Sequence, residues 1–457
     1  MNIHELPGYK GTGFLKILPQ LYKNPLSTLQ KTVSTGERVI PFSFGKYILF
    51  LINDPSIIQH ILKTNYRNYP RGKALEGIYP LLGKGIFTSD HELWSRQQKN
   101  ITPAFHTKYF TRFGEIIDEE CENFKSELEG YCKNLKEIDL QERFKVLMLK
   151  ILVKEMFSPD LKFDAEDIIH KLDTILAYTS IRGELIRNVK TGFKSVFGLK
   201  YTPPADYTSA LSSLEKFVAG FFKQVENGEI IPGMLTGILK ELKNEGEVDD
   251  IQIRDEIMTF LFAGFDTVAE GLSWTQYLIS TNPGTDEKII VELTERNLEG
   301  QESSPSSLHM SPETPYLRCV ISEALRLYPP AWAFYRIVIE DEEIDGLFFP
   351  KKSYLMISPC LLHRTPKFWD QPDSFNPTRF EGEDQPEVNN FSYIPFGQGP
   401  HICTGRRLAM FEMLRIFSVL TPEYKFIYTG DNPPEVDPGI IMKAKNGLRF
   451  KVEKRIK

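Results

Sequence analysis

The chain has 457 residues, 41% hydrophobic and 25% charged, with 55 basic residues against 61 acidic ones. These values are those of a soluble globular protein and exclude intrinsic disorder, collagen-like repeats and a small disulfide scaffold. A net charge of −6 offers no clustered basic surface for nucleic acid, and the length is ample for a large core.

Five cysteines, Cys121, Cys132, Cys319, Cys360 and Cys403, are widely spaced, odd in number and include no CxxC pair. That pattern argues against a disulfide framework or structural zinc and for a reducing compartment. The opening MNIHELPGYKGTGF lacks the apolar h-region of a secretory signal. The most apolar runs, Tyr47–Ile52 and Met258–Phe265, fall far short of the roughly 20 residues of a membrane span. The expectation is a soluble, cytoplasmic chain with any anchor absent or removed.

In chain order, two β-rich runs, Arg38–Phe44 and Tyr47–Ile52, flank Gly45-Lys46 and predict a hairpin. Asp54 as N-cap and Pro55 in the first turn predict a helix to about Lys63. Residues 70–90, rich in Gly and Pro, read as a long loop. From about 91 to 300 the chain is helical: Phe110–Leu128, Leu140–Phe157, Tyr207–Glu226 and Ile251–Ser280 carry apolar residues at three- and four-residue spacing. Thr202-Pro203-Pro204 breaks this run, and residues 301–313 read as a surface loop. Beyond 330, Arg336–Glu340, Leu347–Phe349 and Tyr354–Ser358 predict short strands, with turns at Asp345-Gly346 and Pro350-Lys351. A last helix is expected over Gly405–Leu420 and a closing strand over Gly447–Val452. The β-rich parts are thus about 30–70 and 330–360. Length alone suggests about three domains at roughly 150 residues each, but no linker separates them.

Cys403 lies in Tyr393-Ile-Pro-Phe-Gly-Gln-Gly-Pro-His-Ile-Cys-Thr-Gly, directly before a helix. Backbone N–H groups and the helix dipole at that position lower a thiol pKa, and glycines at 397, 399 and 405 admit a flat ligand. A buried structural cysteine is the plain alternative. The loop closely resembles the haem-binding signature of the cytochrome P-450 superfamily, FGxGx[RH]xCxG, filled by Phe396, Gly397, Gly399, His401, Cys403 and Gly405. The resemblance makes Cys403 the proximal thiolate ligand of haem iron, with Phe396 over the sulfur and His401 donating to a propionate.

Further segments resemble the same family in order and spacing. Glu323 and Arg326, set among Ile321, Leu325 and Leu327, read as a buried i,i+3 pair that needs extra hydrogen bonds, which Arg379 could supply. They match the family's ExxR helix and PxRF segment, whose implied role is structural. In TFLFAGFDTVAEGLSW an acid and a hydroxyl, Asp266 and Thr267, follow Ala263-Gly264 within an apolar helix. A groove with a polar lining would explain them, and back-bonding of the threonine to the preceding turn is the alternative. The resemblance is to the [AG]GxDT motif, where the helix crosses the distal haem face and handles protons. Trp94 matches the tryptophan of WxxxR, with Gln98 in place of the arginine, and cofactor contact or core packing both account for it. Arg336 matches another propionate ligand.

The resemblance covers nearly the whole chain. It implies one mainly α domain over 1–457 with small β-sheets, haem lying between a long distal helix and the proximal cysteine loop, 393–407. It also implies a haem-thiolate monooxygenase that uses haem b (iron protoporphyrin IX) and O₂. Electrons would come from NAD(P)H through a ferredoxin or flavodoxin and its reductase, because the chain ends at Lys457 without room for a redox module. Arg96, Lys99, Arg406 and Arg407 are the expected docking cluster. Peroxide-driven or isomerase-type enzymes and a haem sensor or carrier are the competing readings, and Asp266-Thr267 argues against both. The pocket would draw on Thr259, Phe262, Trp332, Phe334, Ile440 and Ile441, which suits a hydrophobic small molecule. A monomer is expected.

Overall fold

The apolar runs on either side of 45–46 pair as an antiparallel hairpin, Val39–Phe44 with Tyr47–Ile52, setting Ile40 opposite Leu51 and Phe42 opposite Leu49. The computed structural model describes residues 7–34, 36–44, 47–179, 203–298, 316–382 and 391–455. The expected hairpin turn, Thr202 and the loop 301–313 lie outside these residues. The chain forms two compact units: one comprises 1–76, 89–93 and 313–406, the other 77–88, 94–312 and 407–457.

In the first unit the hairpin is the centre of a five-stranded sheet. Tyr9–Lys10 adds parallel to its outer edge, Tyr354–Ile357 adds parallel to Tyr47–Ile52, and Phe334–Ile337 closes the other edge antiparallel. Phe50, Ile52, Leu355 and Ile357 bury one face of this sheet against Ile57, Ile61, Leu62 and Ile394. Asp54 caps the following helix, Pro55–Gln59, by accepting from the N–H groups of Ser56 and Ile57, and a π-turn continues it over His60–Thr64. The expected strand Arg336–Glu340 is shifted to Phe334–Ile337. The chain leaves the sheet there because the Ile339 N–H bonds the Asn68 carbonyl instead. Asp345 and Gly346, both at positive φ, turn the small hairpin Glu342–Ile344 and Leu347–Phe349.

The second unit is helical, with a three-stranded sheet of Ile138–Asp139, Arg449–Lys454 and Tyr424–Tyr428. Its main helices are Phe110–Asn134, Leu140–Leu152 with a π-turn over Val153–Phe157, Ala165–Thr179 and Ala205–Asn227. Two expectations change. Within the Gly- and Pro-rich stretch 70–90, Gly72–Ile78 and Tyr79–Leu82 are short helical turns, a single turn at a time satisfying the backbone. The expected helix Ile251–Ser280 is two helices, Asp250–Ala263 and Asp266–Thr281, broken at Gly264-Phe265. A Cβ on Gly264 would stand 2.8 Å from both the Leu152 side chain and the Phe260 carbonyl, so close packing on the Leu140–Leu152 helix demands glycine there.

Candidate functional site

The cysteine loop opens with Ile394, whose N–H donates to the ring of His363, and tightens at Gly397 and Gly399, both with φ above +60°. A side chain on Gly399 would meet the Leu62 carbonyl at 2.0 Å, so the loop lies flat on the His60–Thr64 π-turn. The Cys403 N–H donates to the Phe396 carbonyl at 2.9 Å, closing the turn, and the helix Arg406–Leu420 follows. Cys403 is exposed, yet protein crowds it enough that burial pushes its thiol pKa up, while the N–H groups of Gly405 and Arg406 pull it back. The net direction corrects the expected lowering: a helix N-terminus supports a thiolate, but burial outweighs it.

Beside the loop stands a group of bases that the motifs only half revealed. Arg71 donates to His401 Nδ1 at 2.9 Å; a guanidinium only donates, so Nδ1 accepts and the proton sits on Nε2. Burial, then the charges of Arg71 and Arg336, hold His401 far below its ordinary pKa, so the ring is neutral. Burial lowers the Arg336 pKa to about 9 and that of Arg71 to about 10, and Asp90 is the carboxylate that offsets both. Asp90 is largely engaged by the N–H groups of Arg71 and Gly72. Two crowded guanidiniums and an Nε2–H donor thus stand together, the kind of donors that haem carboxylates accept from. Arg71 carries no motif, and only its place beside Pro70 and Gly72 could have drawn notice.

The expected lock is present. Glu323 and Arg326 are both 0% exposed, with Nε–Oε2 at 2.6 Å and Nη2–Oε1 at 2.8 Å. Arg326 also donates to the carbonyls of His363, Pro372 and Ser374, so all five of its N–H groups are used. Glu323 accepts further from the Asn376 N–H at 2.8 Å and Arg379 Nε at 3.3 Å. His363, missed from sequence, joins this lock to the loop: Nδ1–H donates to the Arg326 carbonyl, and Nε2 accepts from Ile394. Burial lowers its pKa to about 3, so it stays neutral and keeps both bonds. The Tyr393 hydroxyl adds a third tie, to the Ser322 carbonyl.

In the second unit Thr267 does back-bond: its hydroxyl donates to the Ala263 carbonyl at 2.8 Å, at the break between the helices. The polar groove expected here takes a different form, because Asp266 points to Lys145 at 3.5 Å rather than standing in an open lining. Asp266 is buried, with its Oδ1 free of hydrogen bonds; burial raises its pKa and Lys145 offsets part of the rise. For Lys145, burial lowers the pKa, but Asp266, Asp173, Glu270 and Glu142 together raise it further. The two shifts differ because the ammonium faces four acids and Asp266 faces chiefly one cation.

Trp94 is buried in the helix His91–Ile101, and the neighbouring Gln97 donates to Glu256 and the Lys84 carbonyl. Gln98 bonds Thr102, and Arg96 and Lys99 are exposed. Of the expected pocket residues, Phe262 is buried and meets Phe87 edge-on at 5.7 Å, and the Thr259 hydroxyl donates to the Asp255 carbonyl. Trp332 and Ile441 are buried, while Phe334 and Ile440 are half-buried.

A family model described as Cytochrome P450 matches residues 7–452. The protein LUTEIN DEFICIENT 5, chloroplastic, of Arabidopsis thaliana is 30% identical over 442 residues, 92% of this chain and 72% of that protein. Cyclooctatin synthase of Streptomyces melanosporofaciens is 30% identical over 85% of this chain and 83% of its own length. A crystal structure of a cytochrome P450 (CYP102L1) shares the fold at a TM-score of 0.77 and 20% identity, covering 94% of both chains. The family match and these relatives place the chain among the haem-thiolate oxidoreductases. The chain belongs to the cytochrome P450 family, and it is a monooxygenase of that class. Haem iron, O₂ and electrons supplied from outside follow from the family. Among the described residues no helix is long and apolar enough to cross a membrane.

Proposed function

We propose that this protein binds haem b through Cys403 and inserts one oxygen atom of O₂ into a hydrophobic small molecule. The electrons come from NAD(P)H through a ferredoxin or flavodoxin and its reductase. The observation that carries the reading is Cys403, an exposed residue with the Gly405 and Arg406 N–H groups aimed at its sulfur, beside the donors Arg71, Arg336 and His401. When bound, the haem supplies the oxygen-activating redox chemistry, and the thiolate pushes electron density onto its iron.

The chain's own residues do the rest. Phe396 and Gly397 shape the loop, and Arg71, Arg336 and the Nε2–H of His401 hold the propionates. Glu323, Arg326, Arg379 and His363 keep the loop rigid. Trp94, Ala263 and Gly264 are further cofactor contacts on the family's pattern. Asp266 and Thr267 hold and pass protons, and their retention favours O₂-driven turnover over peroxide-driven, isomerase or carrier chemistry. The Phe87–Phe262 contact supports an apolar substrate, and one family match running through both units supports a single catalytic domain.

The test is the reduced carbon monoxide complex. Wild type should show the red-shifted Soret band of thiolate ligation, and Cys403→Ala should lose it. A Cys403→Ala protein that keeps the band overturns the ligand assignment.

A further inference from the structure

One turn beyond Asp266, on the same helix, lies a second acid for which the chemistry above has no use. Glu270 is 0% exposed, and neither of its carboxyl oxygens has a hydrogen-bond partner. Side chains four apart on a helix share a face, with Cβ atoms about 5–6 Å apart, so Glu270 stands on the Asp266 side. The charged groups that act on it are Asp266 on its own helix, Lys145 and Glu142 on the helix Leu140–Leu152, and Lys443 on the strand Met442–Ala444. Lys145 in turn lies 3.5 Å from Asp266, 3.6 Å from Asp173 and 4.0 Å from Glu142. Lys443 lies 3.7 Å from Asp173.

The charges around this cluster do not permit two ionised acids. A buried carboxylate without a hydrogen bond costs several kcal/mol, whereas the neutral acid costs far less. Lys145 already neutralises Asp266 and shares itself with Asp173 and Glu142, leaving no cation of its own for Glu270. Burial first, and then the Asp266 charge, hold the Glu270 pKa well above the ordinary range. Glu142 and Asp173, by contrast, are partly exposed, so the cluster runs from water to the interior.

We propose that Glu270 is a protonated positioning residue that serves as the proton reserve of Asp266. Asp266 rests as the carboxylate that Lys145 neutralises. In each cycle the O–H bond of Glu270 breaks as one forms on Asp266, which passes that proton on towards Thr267 and returns to the carboxylate. Glu270 is refilled from solvent through the Glu142, Asp173 and Lys443 end, so each cycle moves one proton inward and leaves the cluster unchanged. Lys145 keeps its proton throughout and fixes the carboxyl groups in place. The inference rests on the monooxygenase reading of the site.

The test combines infrared spectroscopy of the resting, haem-loaded protein with turnover. Wild type at neutral pH should show a protonated-carboxyl C=O band that shifts in D₂O. Glu270→Gln, which keeps the size and neutrality of the acid, should lose that band. Product per electron should fall in this variant by less than the ~10²-fold that a direct proton donor contributes. Its alkaline limb should also flatten, because wild type loses the reserve as pH rises through the raised pKa and the variant never has it. Glu270→Asp should restore band and coupling in part, and it serves if the glutamine variant does not fold. Absence of the band at neutral pH, or unchanged coupling and pH profile in Glu270→Gln, overturns the proposal. If wild type forms no product from O₂, the monooxygenase reading falls instead, and the infrared band still reports whether Glu270 holds a proton.

Discussion

At the scale of single residues, the cysteine loop depends on groups whose charge state is set by burial. His363 is the clearest case. Its folded pKa of about 3 lies below the ordinary 6.5, so between these values the unfolded chain binds a proton that the folded one refuses. Stability contributed by a neutral His363 is therefore complete above pH 6.5 and falls as pH drops towards 3, by an amount on the order of a few kcal/mol. Urea midpoints measured from pH 7 to pH 5 should show this slope, and His363→Gln should flatten it. Arg71 makes a second prediction. Arg71→Gln should leave the fold intact but speed haem loss to an acceptor apoprotein about tenfold or more, the value of a charged hydrogen bond. An unchanged rate would leave Arg336 and His401 as sufficient. Thr267→Ala should keep haem and substrate binding while diverting electrons to peroxide; unchanged product per electron would remove the hydroxyl from proton handling.

Elements matter because one of them is interrupted where chemistry is expected. The break at Gly264-Phe265 frees the Ala263 carbonyl, to which Thr267 donates, and it turns Asp266 towards Lys145. Gly264→Ala should therefore act as a packing mutation, forcing Leu152 aside, as well as mending the helix. The ExxR helix Tyr316–Leu327 works differently. Its Arg326 spends every donor on Glu323 and on carbonyls at 363, 372 and 374, so the helix organises the chain that leads to the cysteine loop. Removing one partner leaves the other charge buried, a loss of about 3–5 kcal/mol. Arg326→Lys and Glu323→Gln should each lower the unfolding midpoint and the fraction of protein that retains haem. A variant that stays as stable as wild type would show the lock to be dispensable.

For the whole molecule, the question is how electrons arrive. The net charge is −6, yet Arg96, Lys99 and Arg407 are exposed and Arg406 is half-buried. An acidic electron donor is the natural complement, and charge steering acts mainly on the association rate. Reduction by a ferredoxin or flavodoxin should slow as salt rises, since the Debye length falls to about 8 Å at physiological ionic strength. Lys99→Glu or Arg407→Glu should slow it further without altering the haem spectrum. A salt-independent rate, indifferent to both charge reversals, places the docking surface elsewhere.

Local pattern alone determined a good deal. The spacing from Phe396 to Gly405, the i,i+3 pair Glu323–Arg326 and the Asp54-Pro55 helix start were legible because each is a short-range requirement of backbone geometry or charge. The mainly helical class followed from apolar periodicity. Other features rest on residues far apart in sequence that fold together. Arg71 meets His401 across 330 positions, and His363 joins Arg326 to Ile394; no periodicity encodes such pairs. The helix break at Gly264 needed Leu152 to be seen, and the Cys403 pKa needed its crowded surroundings. Burial decides these properties, and burial is created only when distant segments pack.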